Sequence, residues 1–364
     1  MSIPKPLRVH GLDLSYFTGK LEGYLRGKGI AYELIEMDTG DFKRCGKATG
    51  VAQMPQVEWH AGQWLSDTTL IIPFLEDKDK RSTITPSDPM TVFMAQLLED
   101  FADEWLWRPA LVYRWANAKD ARLMGQRLAE GMMRDVPLPT FLRRMLITAR
   151  QRLHFLFLDG FTRGTRKRIE AHYTECLSAL EKVLAQQAYV LGERPTLADY
   201  GFFGSMFRHF FSDPTPAGIM RRDAPNVMEW VARLWNVKLD RFEKVPFTAV
   251  SHQTLAPLLR ILIAEFIPYM QANEEGVLNG QWRFVFNSQG TRIKIPTHRY
   301  RAWRYQRLRL RFQALPAQQR AMLALEYPEL NDALKAPVNA PVDNALGQLP
   351  IAAQRKGRFV GRTW

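Results

Sequence analysis

The stretch that most constrains this chain is Gln53 to Leu75, QMPQVEWHAGQWLSDTTLIIPFL. It opens on Met54-Pro55, an X-Pro bond, the kind in which a cis peptide is cheap. QVEWH then alternates as a short strand, Ala61-Gly62 supplies a turn, and QWL returns as a second strand. Ser66-Asp67-Thr68 makes a helix start ahead of the apolar run TLIIPFL. A hairpin that feeds a helix N-terminus forms a small polar pocket. The backbone beside the proline can pair with an extended peptide. The helix's free N–H groups and positive dipole end can hold a carboxylate.

The flanking chain fits around that segment. Leu7 to His10 reads as a strand. A helix follows, with Thr18 as its N-cap, Leu21, Tyr24 and Leu25 at helical spacing, and Gly29 as its stop. Ala31 to Asp38 alternates as a second strand, so a parallel pair with a right-handed crossover is expected. Residues 39–52 read as a loop or a single helical turn. Residues 76–90, EDKDKRSTITPSDPM, have linker composition. Beyond them Met90, Phe93, Met94, Leu97, Leu98, Phe101 and Trp105 share one helical face. A tract rich in Trp, Met, Phe and Arg then runs to about residue 165, as at least two helices broken near Val136 to Pro139. Ile169 to Leu184 is amphipathic, with Cys176 on the apolar face as a core thiol. Thr196 and Asp199 form a capping box opening a helix apolar nearly all round.

These features resemble the glutathione S-transferase family. The order proline, strand, glycine turn, strand, acidic residue, hydroxyl residue and apolar helix is that of its glutathione-binding half. YVLGERPTLADY is similar to the signature of its second domain, in which the Thr and Asp form a structural N-cap. APNVMEWVARLWN matches the next helix in family order. The resemblance covers residues 1 to about 250. It departs at Met54, where valine is usual, and at Asp67-Thr68, where Glu/Gln-Ser is usual. The SYFTGKLEGYL loop lacks the family's proline. The fold it implies is α+β followed by all-α: a thioredoxin-like domain over 1–80, a linker over 81–88, and an all-helical domain over 89–250 with a long insertion near 108–165. Residues 251–364 would be an extension packed on the helical domain.

The resemblance also implies a site. Glutathione, as co-substrate, would lie along Gln53, Met54 and cis-Pro55. Its γ-glutamyl end would be held by Asp67 and Thr68, with the ammonium facing Asp67. Ser15 matches the residue that contacts the sulfur, with Tyr16 and Thr18 as rival hydroxyls. A hydroxyl donor at a helix N-terminus favours the thiolate. Serine suits conjugation or elimination, whereas cysteine would suit disulfide exchange. Implied too are a hydrophobic, aromatic electrophile as second substrate and a homodimer. Gly62 to Thr68 resembles bacterial β-etherases, which use such a thiolate to cleave an aryl ether. The insertion reads as an acceptor-site wall or lid, or as extra core or a dimer surface. The rival class is a non-catalytic scaffold with the same fold.

Composition narrows the partners. Lys and Arg number 50 against 37 Asp and Glu, a net charge of +13, which attracts anions without choosing among them. Arginines interleaved with aromatics over Arg292 to Arg311 could grip nucleic acid. The favoured reading is a helix lying on the protein, at a dimer contact or over the cleft, and no nucleic-acid partner is expected. The apolar run Leu255 to Met270 carries Arg260 and Glu265 and reads as too short and too charged to span a membrane. QWRFVF and TRIKIP, joined by Asn-Ser-Gln-Gly, form a hairpin, and the tail from Pro337 reads as loosely docked. The N-terminus MSIPKPLRVHGLDL lacks the apolar core of a signal peptide. With two cysteines, Cys45 and Cys176, a reducing compartment and the cytoplasm are expected. Walker and dinucleotide-binding fingerprints are missing, and the histidines lack metal-ligand spacing.

Overall fold

Alternation in LRVHG buries Leu7 and Val9, and this strand, β1 (Leu7–Gly11), becomes an inner strand of the first sheet. The structure, a computed structural model, describes residues 2–344 and 346–353. Helix α1 (Tyr16–Lys28) crosses to β2 (Tyr32–Glu36), which runs parallel to β1 with Leu34 opposite Val9. Gly29 ends α1 at φ 71°, where an L side chain would be strained. The N-cap is Ser15 rather than Thr18, which lies inside the helix and is fully buried. Helix α2 (Thr39–Thr49) is 11 residues long, where the sequence suggested a loop or one turn. Asp38 caps it by accepting from the Asp41 amide at 2.8 Å, a signal masked by the glycines and lysines that follow.

Strands β3 (Gln56–Glu58) and β4 (Gln63–Ser66) form the hairpin, with Val57 opposite Leu65 and Gly62 at φ 74° in the turn. β3 lies antiparallel to β1. Helix α3 (Thr68–Lys78) follows directly, burying Ile71, Ile72 and Leu75.

The helical part opens with α4 (Pro89–Trp105), whose predicted apolar face is buried. The insertion contributes α5 (Trp107–Ala116), α6 (Ala118–Glu130) and α7 (Thr140–Gln151), the last continuing through a π-helical segment, Arg152–Phe157. Then come α8 (Arg166–Leu184), α9 (Leu197–Ser205), α10 (Pro214–Asp223) and α11 (Pro225–Trp235). α9 is the centre: Tyr200, Phe202 and Phe203 are fully buried. It approaches α1 closely through Gly204, where a Cβ would stand 2.9 Å from the Tyr16 carbonyl oxygen. Asp199 fixes its start, accepting from the amides of Val190 and Thr196, both at 2.9 Å, and from the Trp230 indole at 3.1 Å. Its role is structural, as the capping box suggested.

Residues beyond 250 wrap this frame. α12 (His252–Ile261) runs through a π-helical segment, Leu262–Phe266, into α13 (Ile267–Leu278). The combined helix, His252–Leu278, is longer than the sequence reading allowed. By length and composition it could cross a membrane, yet half of its apolar window is buried inside the fold. It packs on α8 and on a later helix, α14 (Arg299–Gln313). Between them β5 (Arg283–Ser288) and β6 (Thr291–Pro296) form the expected hairpin. Its apolar side rests on the insertion at Gly160, φ 85°, where a Cβ would stand 2.7 Å from Ile295 and 2.8 Å from Ile293. After α15 (Ala317–Glu326) and α16 (Pro328–Leu334) the tail reaches β7 (Ile351–Ala352). β7 pairs antiparallel with β4, giving a five-stranded sheet of order β2-β1-β3-β4-β7. The tail therefore docks on the N-terminal sheet as well as on the helices.

Candidate functional site

A cavity opens where the first sheet, α4, the insertion and α14 converge. One wall is the strip anticipated from sequence: Ser15, Tyr16, Gln53, Met54, Pro55, Asp67 and Thr68 all line it. Thr18 does not appear on that wall.

Ser15 stands at the N-terminus of α1. Its Oγ accepts from the Thr18 amide at 3.3 Å and keeps its own hydrogen to donate. The loop that carries it is anchored by the insertion. Arg114 donates to the Leu14 carbonyl at 2.9 Å while forming two 2.8 Å bonds with the fully buried Asp213. Tyr16 presents its ring to the cavity, but its hydroxyl turns inward and donates to the Ala102 carbonyl. Burial, helped by the Asp103 charge, raises that phenol well above its ordinary range.

The Met54-Pro55 bond is cis. Gln53 donates to Ser66 Oγ at 2.9 Å, and its carbonyl accepts from Gln56 at 3.1 Å. Asp67 caps α3, accepting from the Thr69 amide at 3.0 Å, and sits at φ 73°, a conformation costly for a non-glycine residue. Its second oxygen accepts from the Tyr300 hydroxyl at 2.6 Å. Burial, outweighing Arg304 and the Tyr300 hydrogen bond, raises the Asp67 carboxyl above its usual range.

Tyr300 belongs to a polar end wall that sequence reasoning missed. α4 carries Glu99, Asp100, Asp103 and Glu104, all buried on an otherwise apolar helix. Lys20 from α1 bonds Glu99 at 2.6 Å and Asp103 at 2.7 Å. Arg304 from α14 donates to Asp100 at 2.5 Å and also contacts the Thr69 hydroxyl. Arg301 donates to Glu104 at 2.8 Å. Burial, with the Glu99 charge, pushes Asp103 up to about 7 against the pull of Lys20 and Arg304. Within the basic stretch Arg301, Arg304 and Arg309 are thus buried and paired, the last with Glu274, while Arg292, Lys294 and Arg299 stay exposed. The signal that could have found it is pairing of residue types: acids at i, i+1, i+4 and i+5 in an apolar helix need buried cations from elsewhere.

The opposite wall is apolar and aromatic, built by Leu12, Leu14, Phe17, Phe42, Trp107, Leu111, Trp115 and Phe155. Trp107 stacks on Phe17 at 6.1 Å between centroids and meets Phe155 edge-on at 6.0 Å. Away from the cavity, His10, Asp41 and Cys45 come together. The His10 nitrogens face Asp41 at 2.7 Å and Glu58 at 3.1 Å, Arg44 lies 3.4 Å away, and burial pushes the Cys45 thiol up to about 12. A neighbouring guanidinium and a protonated thiol suit a structural cluster better than a metal centre.

Residues 166–237, which span α8 to α11, match the family model described as glutathione S-transferase, C-terminal domain. Glutathione S-transferase U7 of Arabidopsis thaliana is 27% identical over 106 residues, 29% of this chain and 47% of the relative. The chain's match thus spans about half the length of that curated relative. Among solved structures, β-etherase LigF from Sphingobium sp. strain SYK-6 is 20% identical, covering 65% of this chain and 99% of its own, with a TM-score of 0.47. A glutathione S-transferase from Methylobacterium radiotolerans, in complex with glutathione sulfonate, is 20% identical over 68% of this chain and 98% of its own, with a TM-score of 0.40. The β-α-β and β-β-α sheet domain followed by a helical domain is the thioredoxin-like plus all-helical architecture, and residues 166–237 of its helical part are similar to the glutathione S-transferase C-terminal domain.

Proposed function

We propose that the protein is a glutathione-dependent transferase that attacks a hydrophobic, aromatic electrophile. The observation that carries this reading is the two-faced cavity. A hydroxyl at a helix N-terminus, a cis-proline edge and a second helix N-terminus line one side, and stacked aromatics line the other. Glutathione lies along Gln53, Met54 and Pro55, pairing its cysteinyl backbone with Met54, and its γ-glutamyl end reaches Asp67 and Thr68. Ser15 donates to the sulfur and, with the α1 dipole, favours the thiolate. Tyr16, with its hydroxyl engaged by Ala102, serves the site through its ring.

The thiolate forms a carbon–sulfur bond as the leaving group, an aryl ether oxygen or a halide, departs with its bonding electrons. The thiol proton goes to solvent. The protein works in the cytoplasm as a homodimer on this reading.

The test has two stages. Millimolar glutathione should raise the melting temperature of the wild-type protein, which should also turn over an activated aryl electrophile. Ser15→Ala should cut turnover about 10- to 100-fold, the loss expected for one donor to a developing or stored anion, while Tyr16→Phe stays within about 2-fold. Absence of glutathione binding would favour the scaffold reading, and full activity in Ser15→Ala would remove Ser15 from its role.

A further inference from the structure

The polar end wall holds two buried charged groups of opposite sign, each with an atom left over. Asp103 on α4 is 1% exposed; its Oδ2 takes Lys20, and its Oδ1 has no hydrogen-bond partner among the described residues. Arg301 on α14 is 6% exposed; its Nε is taken by Glu104, and its Nη1 likewise has no partner among the described residues. Both side chains line the cavity beside Asp67 and Thr68. Unmatched buried charged atoms are among the costlier features a fold can carry. An anion and a cation of this kind bordering one cavity suit a ligand group that is itself cation and anion.

We propose that Asp103 and Arg301 clamp the zwitterionic α-amino acid head of the bound thiol, Asp103 Oδ1 taking the ammonium and Arg301 Nη1 the carboxylate. This rests on the transferase reading, in which that head is the γ-glutamyl end of glutathione. Asp67 already accepts one bond on each oxygen, from the Thr69 amide and the Tyr300 hydroxyl, whereas Asp103 Oδ1 accepts none from the described residues. The carboxylate gains a guanidinium, a stronger partner than a helix N-terminus alone. Arg301 lies in the extension, outside the segment that matches the family, so residues beyond 250 take part in choosing the ligand.

The clamp carries a pH signature. Asp103 is faced by Lys20 from α1, Thr69 from α3, Glu99 from α4, and Arg304 from α14; Tyr16 lies nearby. With its carboxyl held near neutrality by burial, it is largely protonated at pH 6 and ionised at pH 8. An ammonium pairs only with the ionised form. Affinity should therefore rise from pH 6 to pH 8, with proton release on binding at pH 6.

Calorimetry on the full-length protein tests this with S-methylglutathione, whose sulfur cannot ionise. Two analogues complete the set: a glutaryl form lacking the ammonium and a 4-aminobutyryl form lacking the α-carboxylate. Arg301→Met should weaken S-methylglutathione about 10-fold or more yet leave the 4-aminobutyryl form unchanged, and Arg301→Lys should restore part of the loss. Asp103→Asn should weaken S-methylglutathione at pH 8 more than at pH 6 and leave the glutaryl form unchanged. Should a variant fail to fold, the wild type must still prefer S-methylglutathione over both analogues about 10-fold or more. Equal binding of the three ligands by wild type, or folded variants that bind S-methylglutathione like wild type, overturns the clamp alone. No binding of any peptide by wild type overturns the transferase reading and the clamp with it.

Discussion

Asp199 shows how one side chain can hold a domain. Its carboxylate collects the Val190 and Thr196 amides, the Thr196 hydroxyl at 3.2 Å and the Trp230 indole, joining a turn, a helix start and a second helix. Asp199→Ala leaves these buried donors unmatched and should cost about 3–5 kcal/mol, read as a lowered urea midpoint. This residue was legible because a capping box is local: Thr196 and Asp199 are three positions apart. The Tyr300 to Asp67 bond was not, because nothing in local sequence brings together residues 233 positions apart. Ser15 falls between these cases. Its helix start was visible, but its choice over Thr18 as cap depends on where α1 begins, and boundaries are set by packing as much as by propensity.

At the scale of elements, periodicity was a good guide to strands and to α4 and α8, whose apolar faces repeat cleanly, while α9 announced itself by its capping box and its apolar run. It failed for α2, which buries only Cys45, Gly46 and Thr49 and so carries almost no apolar stripe. It marked α14 as a helix lying on the protein but not that arginines take its core positions: Arg301, Arg304, Leu308 and Phe312 are buried. Arg304 is one of two buried ties between α14 and α4, beside Arg301 to Glu104. Removing it leaves Asp100 without its guanidinium and Lys20 alone facing Glu99 and Asp103. Arg304→Met should therefore destabilise by about 3–5 kcal/mol, the range for breaking a buried ion pair by deleting one partner. A urea midpoint equal to wild type would show that α14 docks without help from Arg304.

Across the whole molecule, the extension behaves as core. Phe312 meets Phe93 at 5.8 Å, Phe266 meets Phe101 at 5.5 Å and Tyr269 meets Trp105 at 5.5 Å. A chain cut at residue 250 would present these three α4 aromatics to water beside unpaired acids. It should bind a hydrophobic dye strongly or precipitate, while the full chain unfolds in urea in one step by both circular dichroism and tryptophan fluorescence. A truncated protein as stable as the full chain would show two separable units instead. The far tail adds a constraint of another kind. β7 covers the outer edge of β4, and an uncovered strand edge is a template for pairing with other chains. β4 leaves the ribosome long before β7. During synthesis that edge stays open until β7 emerges, so crowded polysomes are a setting in which this protein is exposed to aggregation.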